Sequence, residues 1–134
     1  QNVGGYKYDE YTNTFPVFIN YHKDDSIQGT IKYEDRFLNN KTLIAISKKK
    51  RSINSKDIKI ISNAEKNNTV IHLFIRRNKN DKISNEFYYL GIVKSTGGFT
   101  PGYVENNKIV EIEYELLTPV REDIYEYITK TTDE

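Results

Sequence analysis

Thr69-Val70-Ile71-His72-Leu73-Phe74-Ile75-Arg76 and, further on, Glu86-Phe87-Tyr88-Tyr89-Leu90-Gly91-Ile92-Val93 are the stretches that decide the fold class. Both are rich in β-branched and aromatic side chains, which pack well on a pleated surface, and the polar segment Asn78 to Asn85 between them suits a turn. They predict an antiparallel hairpin. Before it, Phe15-Pro16-Val17-Phe18-Ile19-Asn20-Tyr21 reads as a strand with its proline near the start, where a missing backbone donor is tolerated. Thr42 to Ser47 is a second apolar strand. Lys108 to Leu117 alternates charged residues with Val110, Ile112, Tyr114 and Leu116, the period of a half-buried strand.

Three segments suit helices. Thr30 can cap Thr30 to Leu38, which would place Tyr33 and Phe37 on one face. Ser55 can cap a helix running to Ile61, and Pro119 to Thr129 carries Ile124 and Ile128 at helical spacing. Ser95 to Asn107 holds three glycines and a proline, which predicts a mobile loop displaying Phe99 and Tyr103. Residues 1–14 read as a polar linker or arm, 131–134 as a tail, and 15–130 as one domain. The order of elements predicts an α+β domain: a strongly curved mixed sheet or open barrel with two to three helices.

A chain of 134 residues supplies one core. No apolar run is long enough to span a bilayer and no leader pattern is present, so a cytoplasmic domain without membrane contact is expected. Absence of cysteine excludes disulfides, thiolate metal sites and a thiol nucleophile. No methionine occurs and the chain starts at Gln1, which suggests a piece of a longer polypeptide. Residues 41–94 hold thirteen Lys and Arg against four Asp and Glu, whereas residues 105–134 hold three against nine, so one basic and one acidic face are expected.

Lys48-Lys49-Lys50-Arg51, with Ser55 and Lys56 just beyond, could neutralise phosphates or could be a solvated loop tip. Arg76 and Arg77 at the end of a hairpin strand could grip a DNA backbone. Tyr33-Glu34-Asp35 offers an aromatic face and two acceptors, suited either to an extruded base or to the first turn of a helix. Phe99 or Tyr103 could fill a vacated base stack. His22 with Asp24 and Asp25 lacks the repeated ligand spacing of a metal site, though a small metal-dependent hydrolase built on them stays open. His72, between Ile71 and Leu73, reads as structural.

Taken in order, Phe15-Pro16-Val17-Phe18, Tyr21-His22-Lys23, Lys32-Tyr33-Glu34-Asp35-Arg36-Phe37-Leu38, Ser47 with Arg51, Ser55-Lys56-Asp57, Leu73-Phe74-Ile75 and Phe87-Tyr88-Tyr89-Leu90-Gly91 resemble one family. It is the C-terminal target-recognition domain of SauUSI-like type IV restriction enzymes, which follows a phospholipase-D-like nuclease and a superfamily 2 helicase. The resemblance covers about residues 15 to 93. It implies an SRA-like curved sheet, or alternatively a B3-like pseudobarrel reading unmodified sequence in the major groove. It further implies a module without catalysis or cofactor of its own, binding double-stranded DNA and selecting 5-methylcytosine or 5-hydroxymethylcytosine by base flipping. ATP and magnesium would then serve the helicase and nuclease of the same chain. On that reading Tyr21, Tyr33, Glu34, Asp35 and Ser47 form the base pocket, and Lys48, Lys49, Lys50, Arg51, Ser55, Lys56, Arg76 and Arg77 hold phosphates. One departure stands out: Ala45-Ile46 occupies the place where an aromatic is expected, so a stacking role there must move elsewhere.

Overall fold

The computed structural model describes residues 5–22, 35–78 and 87–130. They form β1 (Gly5–Tyr6), β2 (Thr14–His22), β3 (Arg36–Asn39), β4 (Thr42–Ile46), α1 (Lys56–Ser62), β5 (Val70–Asn78), β6 (Tyr88–Val104), β7 (Asn107–Leu116) and α2 (Glu122–Thr129). All the strands lie in one mixed sheet of order β1-β2-β5-β6-β7-β4-β3. β2 and β5 run parallel, with Phe15 beside Ile71 and Ile19 beside Ile75, while the other neighbours are antiparallel. The fold class expected from the sequence is the one observed.

The two ends of this strand order approach each other. The Phe37 amide of β3 donates to the Tyr21 hydroxyl of β2 over 2.9 Å, and the Lys48 amide after β4 donates to the Tyr6 hydroxyl of β1 over 3.0 Å. The sheet is therefore curled into an open barrel whose seam is bridged by side chains instead of a backbone ladder. Curvature enters at irregular places in β6. Between the pairs Ser95–Tyr114 and Phe99–Ile112, β6 advances four residues while β7 advances two, and Gly97 there has a φ of 95°. Extra residues on one strand bend it and increase its twist.

One continuous core fills the interior. Phe15, Val17 and Ile19 of β2 meet Ile71, Leu73 and Ile75 of β5, with Leu43, Ile112, Tyr114 and Leu116 opposite. Alternate residues of each strand point inward, which is why the sequence shows period two in these runs. Ile58 and Ile61 of α1, three apart and so on one helical face, and Ile128 of α2 join the same cluster. Each such buried aliphatic side chain contributes about 1.5–3 kcal/mol of transfer free energy.

Four expectations need correction. Arg36 to Leu38 is not the end of a helix: Arg36–Asn39 is a strand pairing Phe37 with Leu43, and residues 30–34 lie outside the described set. Pairing with β4 and the packing of Phe37 on Tyr21 and Tyr125 outweigh a local helical preference. Ser95 to Val104 is not a loop but the second half of β6, its glycines serving the bulge. Ser55 precedes α1 without capping it through its side chain, since its hydroxyl accepts from the Ser52 amide over 2.9 Å. Within the expected arm, Gly5–Tyr6 adds to β2 and Tyr6 enters the core.

Candidate functional site

A pocket of about 190 Å³ opens at the seam. β2 forms one wall through Val17 to Asn20, and the end of β4 and its continuation form the other through Ala45 to Lys48. Ile112 and Tyr114 of β7 and Asp35, just ahead of β3, complete the lining with Gly5 and Tyr6 of β1. The pocket exists because the sheet curls without closing.

Asp35 and Ser47, both expected in the pocket, are brought together here. Asp35 Oδ1 accepts from the Ile46 amide over 2.9 Å, so the carboxylate is oriented by the strand beside it. The Ser47 hydroxyl donates to the Lys48 carbonyl and accepts from the Val110 amide, each over 2.9 Å, which ties β4 to β7. Tyr21 is not in the lining; its ring packs against Phe37 and its hydroxyl spans the seam. Tyr33 and Glu34 lie outside the described residues.

Tyr114 was not legible as a site residue. It is 1 % exposed, and its hydroxyl has no hydrogen-bond partner among the described residues. Burial pushes its phenol well above the usual range, and the charges of Tyr6, Asp35 and Asp57 add to the effect. A buried phenol normally finds a partner. The faint signal in the sequence is a hydroxyl placed among the inward aliphatics Val110, Ile112 and Leu116.

Tyr6 links the pocket to the basic segment. Its hydroxyl donates to Asp57 Oδ2 over 2.6 Å, and Arg51 Nε donates to the same oxygen over 2.8 Å. Lys48 Nζ stands 4.9 Å from the centre of the Tyr6 ring, within cation–π range. Burial opposes ionisation of Asp57, but the hydrogen bonds from Tyr6 and Arg51 outweigh it and hold the carboxyl below its ordinary value.

The basic run forms a turn docked on β7. The Lys50 and Arg51 amides donate to the Lys108 carbonyl over 2.7 and 3.1 Å, and Lys49 Nζ meets Glu105 Oε1 at 2.8 Å. Lys50, Arg51, Ser55 and Lys56 border an open cleft with Asp57 and Ile60. Tyr103, paired with Lys108 and 63 % exposed, stands at the same end of the sheet. Phe99 does not: it packs against the core in β6 and so is not displayed as a wedge.

Arg76 and Arg77 are also placed otherwise than expected. Arg76 is 6 % exposed, donates through Nε to Asn20 and lies 4.6 Å from the Phe87 ring centre, so it is part of the packing and not of a phosphate-facing surface. Arg77 lies over Tyr127 and donates to the Lys130 carbonyl, steadying the end of α2. Asp24 and Asp25 fall outside the described residues, among which no cluster of three metal-ligating side chains occurs. No helix among them is long and apolar enough to cross a membrane.

Residues 1–128 match the model of the family described as Domain of unknown function (DUF3427), and the chain belongs to that family. No match is found among curated proteins. Among solved structures, the SUVH5 SRA domain in complex with hemi methylated CG DNA aligns over 88 % of this chain and 75 % of its own, at 11 % identity and a TM-score of 0.56. The SUVH5 SRA complexes with fully methylated CG DNA and with methylated CHH DNA each align over 91 % of this chain, and over 78 % and 77 % of theirs, at 11 % identity and a TM-score of 0.53. The fold is therefore SRA-like.

Proposed function

We propose that this member of the DUF3427 family is a double-stranded DNA-binding module that accepts a flipped 5-methylcytosine or 5-hydroxymethylcytosine in the seam pocket. The observation that carries the reading is the pocket itself: a recess with Asp35 and a buried phenol without a partner among the described residues in its lining, opening beside a cationic turn. A base turned out of the duplex needs polar groups for its edge and apolar walls for its ring. Val17, Ile19, Ala45 and Ile112 offer the walls, and Asp35 offers an acceptor for the exocyclic amine of cytosine. The SRA-like fold supports the same assignment, because the similar SUVH5 domains are described in complex with methylated DNA.

Lys48, Lys49, Lys50, Arg51 and Lys56 then hold the backbone next to the extruded base, and Tyr103, exposed at the same end of the sheet, is the candidate to occupy the gap it leaves. The module performs no catalysis. In a longer chain it directs an ATP- and magnesium-dependent restriction endonuclease with a phospholipase-D-like nuclease and a superfamily 2 helicase, a reading supported by the resemblance of residues 15 to 93. A methyl group contributes only about 0.8 kcal/mol on burial, so preference for methylcytosine over cytosine depends on pocket fit as well as on the methyl itself. Titration of the chain against matched duplexes bearing cytosine, methylcytosine or hydroxymethylcytosine tests the proposal. Tighter binding of the modified duplexes is expected, and equal affinity for all three would refute it.

A further inference from the structure

We infer that Tyr114 is a specificity-determining residue of the seam pocket, its hydroxyl donating to ring nitrogen N3 of the flipped cytosine while Asp35 accepts from the adjacent exocyclic amine. The inference rests on the base-flipping reading above and assigns the donor that reading lacks. Three observations support it. Tyr114 is 1 % exposed and lines the pocket, yet its hydroxyl has no partner among the described residues. Leaving a buried hydroxyl unmade is costly, so such a group in a recess is a standing demand for a polar partner. Asp35 lines the same pocket and contributes to raising the Tyr114 phenol, which places the acceptor and the donor within electrostatic reach of one another.

An acceptor beside a donor is the complement of one edge. Cytosine presents its exocyclic amine next to N3, a donor followed by an acceptor. Thymine presents a carbonyl next to N3–H, the reverse order, and would set its carbonyl against the acceptor-only Asp35 carboxylate, so it does not take the pose in which the Tyr114 hydroxyl is engaged. Thymine also carries the same 5-methyl group as methylcytosine. A pocket that recognised the methyl alone would take both, and the Tyr114–Asp35 pair is what separates them.

The experiment uses the whole chain and two DNA duplexes, each with one target base opposite an abasic site so that extrusion breaks no base pair. One target is 5-methylcytosine and the other thymine. The unaltered protein should prefer methylcytosine, and Y114F should reduce that ratio about tenfold, the worth of one hydrogen bond, by weakening the methylcytosine complex. Binding to a fully paired A·T duplex, which offers no cytosine to the pocket, and its salt dependence should not change, and the free variant should melt no lower than the parent. An unchanged ratio in Y114F would overturn the inference, as would an equal loss on every duplex. Should Y114F fold poorly, 3-deaza-5-methylcytosine offered to the unaltered protein makes the same test, since it replaces N3 by C–H; binding as tight as methylcytosine would overturn the assignment. If the unaltered protein does not distinguish methylcytosine from cytosine in paired duplexes, base reading itself fails. If that preference holds but Y114F leaves the methylcytosine-to-thymine ratio unchanged, only the assignment of Tyr114 fails.

Discussion

Asp57 sets how this protein should respond to acid. Tyr6 and Arg51 converge on its Oδ2 at 2.6 and 2.8 Å, and together they overcome the burial that opposes its charge. Its folded-state pKa lies below the unfolded value of about 3.9, so the stability it contributes is present above that value and is lost as pH falls through the folded one. Urea midpoints should therefore drop below about pH 4, and Asp57→Asn should flatten that drop. The phenols give the opposite limb. Tyr6 and Tyr114 are both raised, chiefly by burial, so the folded state keeps protons that the unfolded chain gives up. Their contribution is complete below about pH 10 and is lost as pH rises beyond it, which a guanidinium titration at alkaline pH would follow. Asp35→Ala should abolish preference for modified cytosine while leaving weak, salt-sensitive binding to any duplex, as read by fluorescence anisotropy. Asp35 was legible from local chemistry, a carboxylate next to an aromatic, whereas Ser47 entered only through the family resemblance. Tyr114 was not legible, because nothing in its neighbours along the chain says that β7 lies between β6 and β4 or that this residue lines the seam pocket.

Strands were legible as elements: β2, β4 and β5 fall where apolar, β-branched and aromatic runs put them, and β7 where alternation reports one buried face. β6 shows where that reading fails. Gly97, Gly98, Pro101 and Gly102 carry the composition of a loop, yet the strand runs through them with a bulge. Local composition cannot tell a glycine that ends a strand from one that bends it; only the partner strand decides. Gly97→Ala, at a φ of 95°, should destabilise the fold by about 1–2 kcal/mol in urea melts, since a side chain there is strained whatever the space around it. On the proposed reading the Lys48–Arg51 turn acts as a unit on DNA. Because Lys50 and Arg51 are fixed to Lys108 by backbone hydrogen bonds, replacing the exposed side chain of Lys50 by glutamate should leave the turn intact. Affinity for every duplex should fall alike, and the slope of log K against log salt should lessen by about 1 per phosphate contact removed.

At the scale of the molecule, the curl of one sheet does most of the work. It buries a single core on its inner side, brings β1 and β2 to face β3 and β4, and leaves a recess where the two ends are joined by Tyr6 and Tyr21 instead of by a ladder. The basic turn and the exposed Tyr103 stand at one end of that sheet, so on the proposed reading affinity and selectivity reside in neighbouring but separate groups. The charge asymmetry along the chain led to the expectation of a basic face, yet two of the residues counted for it, Arg76 and Arg77, serve packing. The most direct measurement is a binding titration of the chain against two duplexes of one sequence, differing only in a 5-methyl group on the target cytosine, at two salt concentrations. Preference for the methylated duplex that persists as salt weakens both complexes is the predicted result; equal affinities at both salt concentrations would contradict the account.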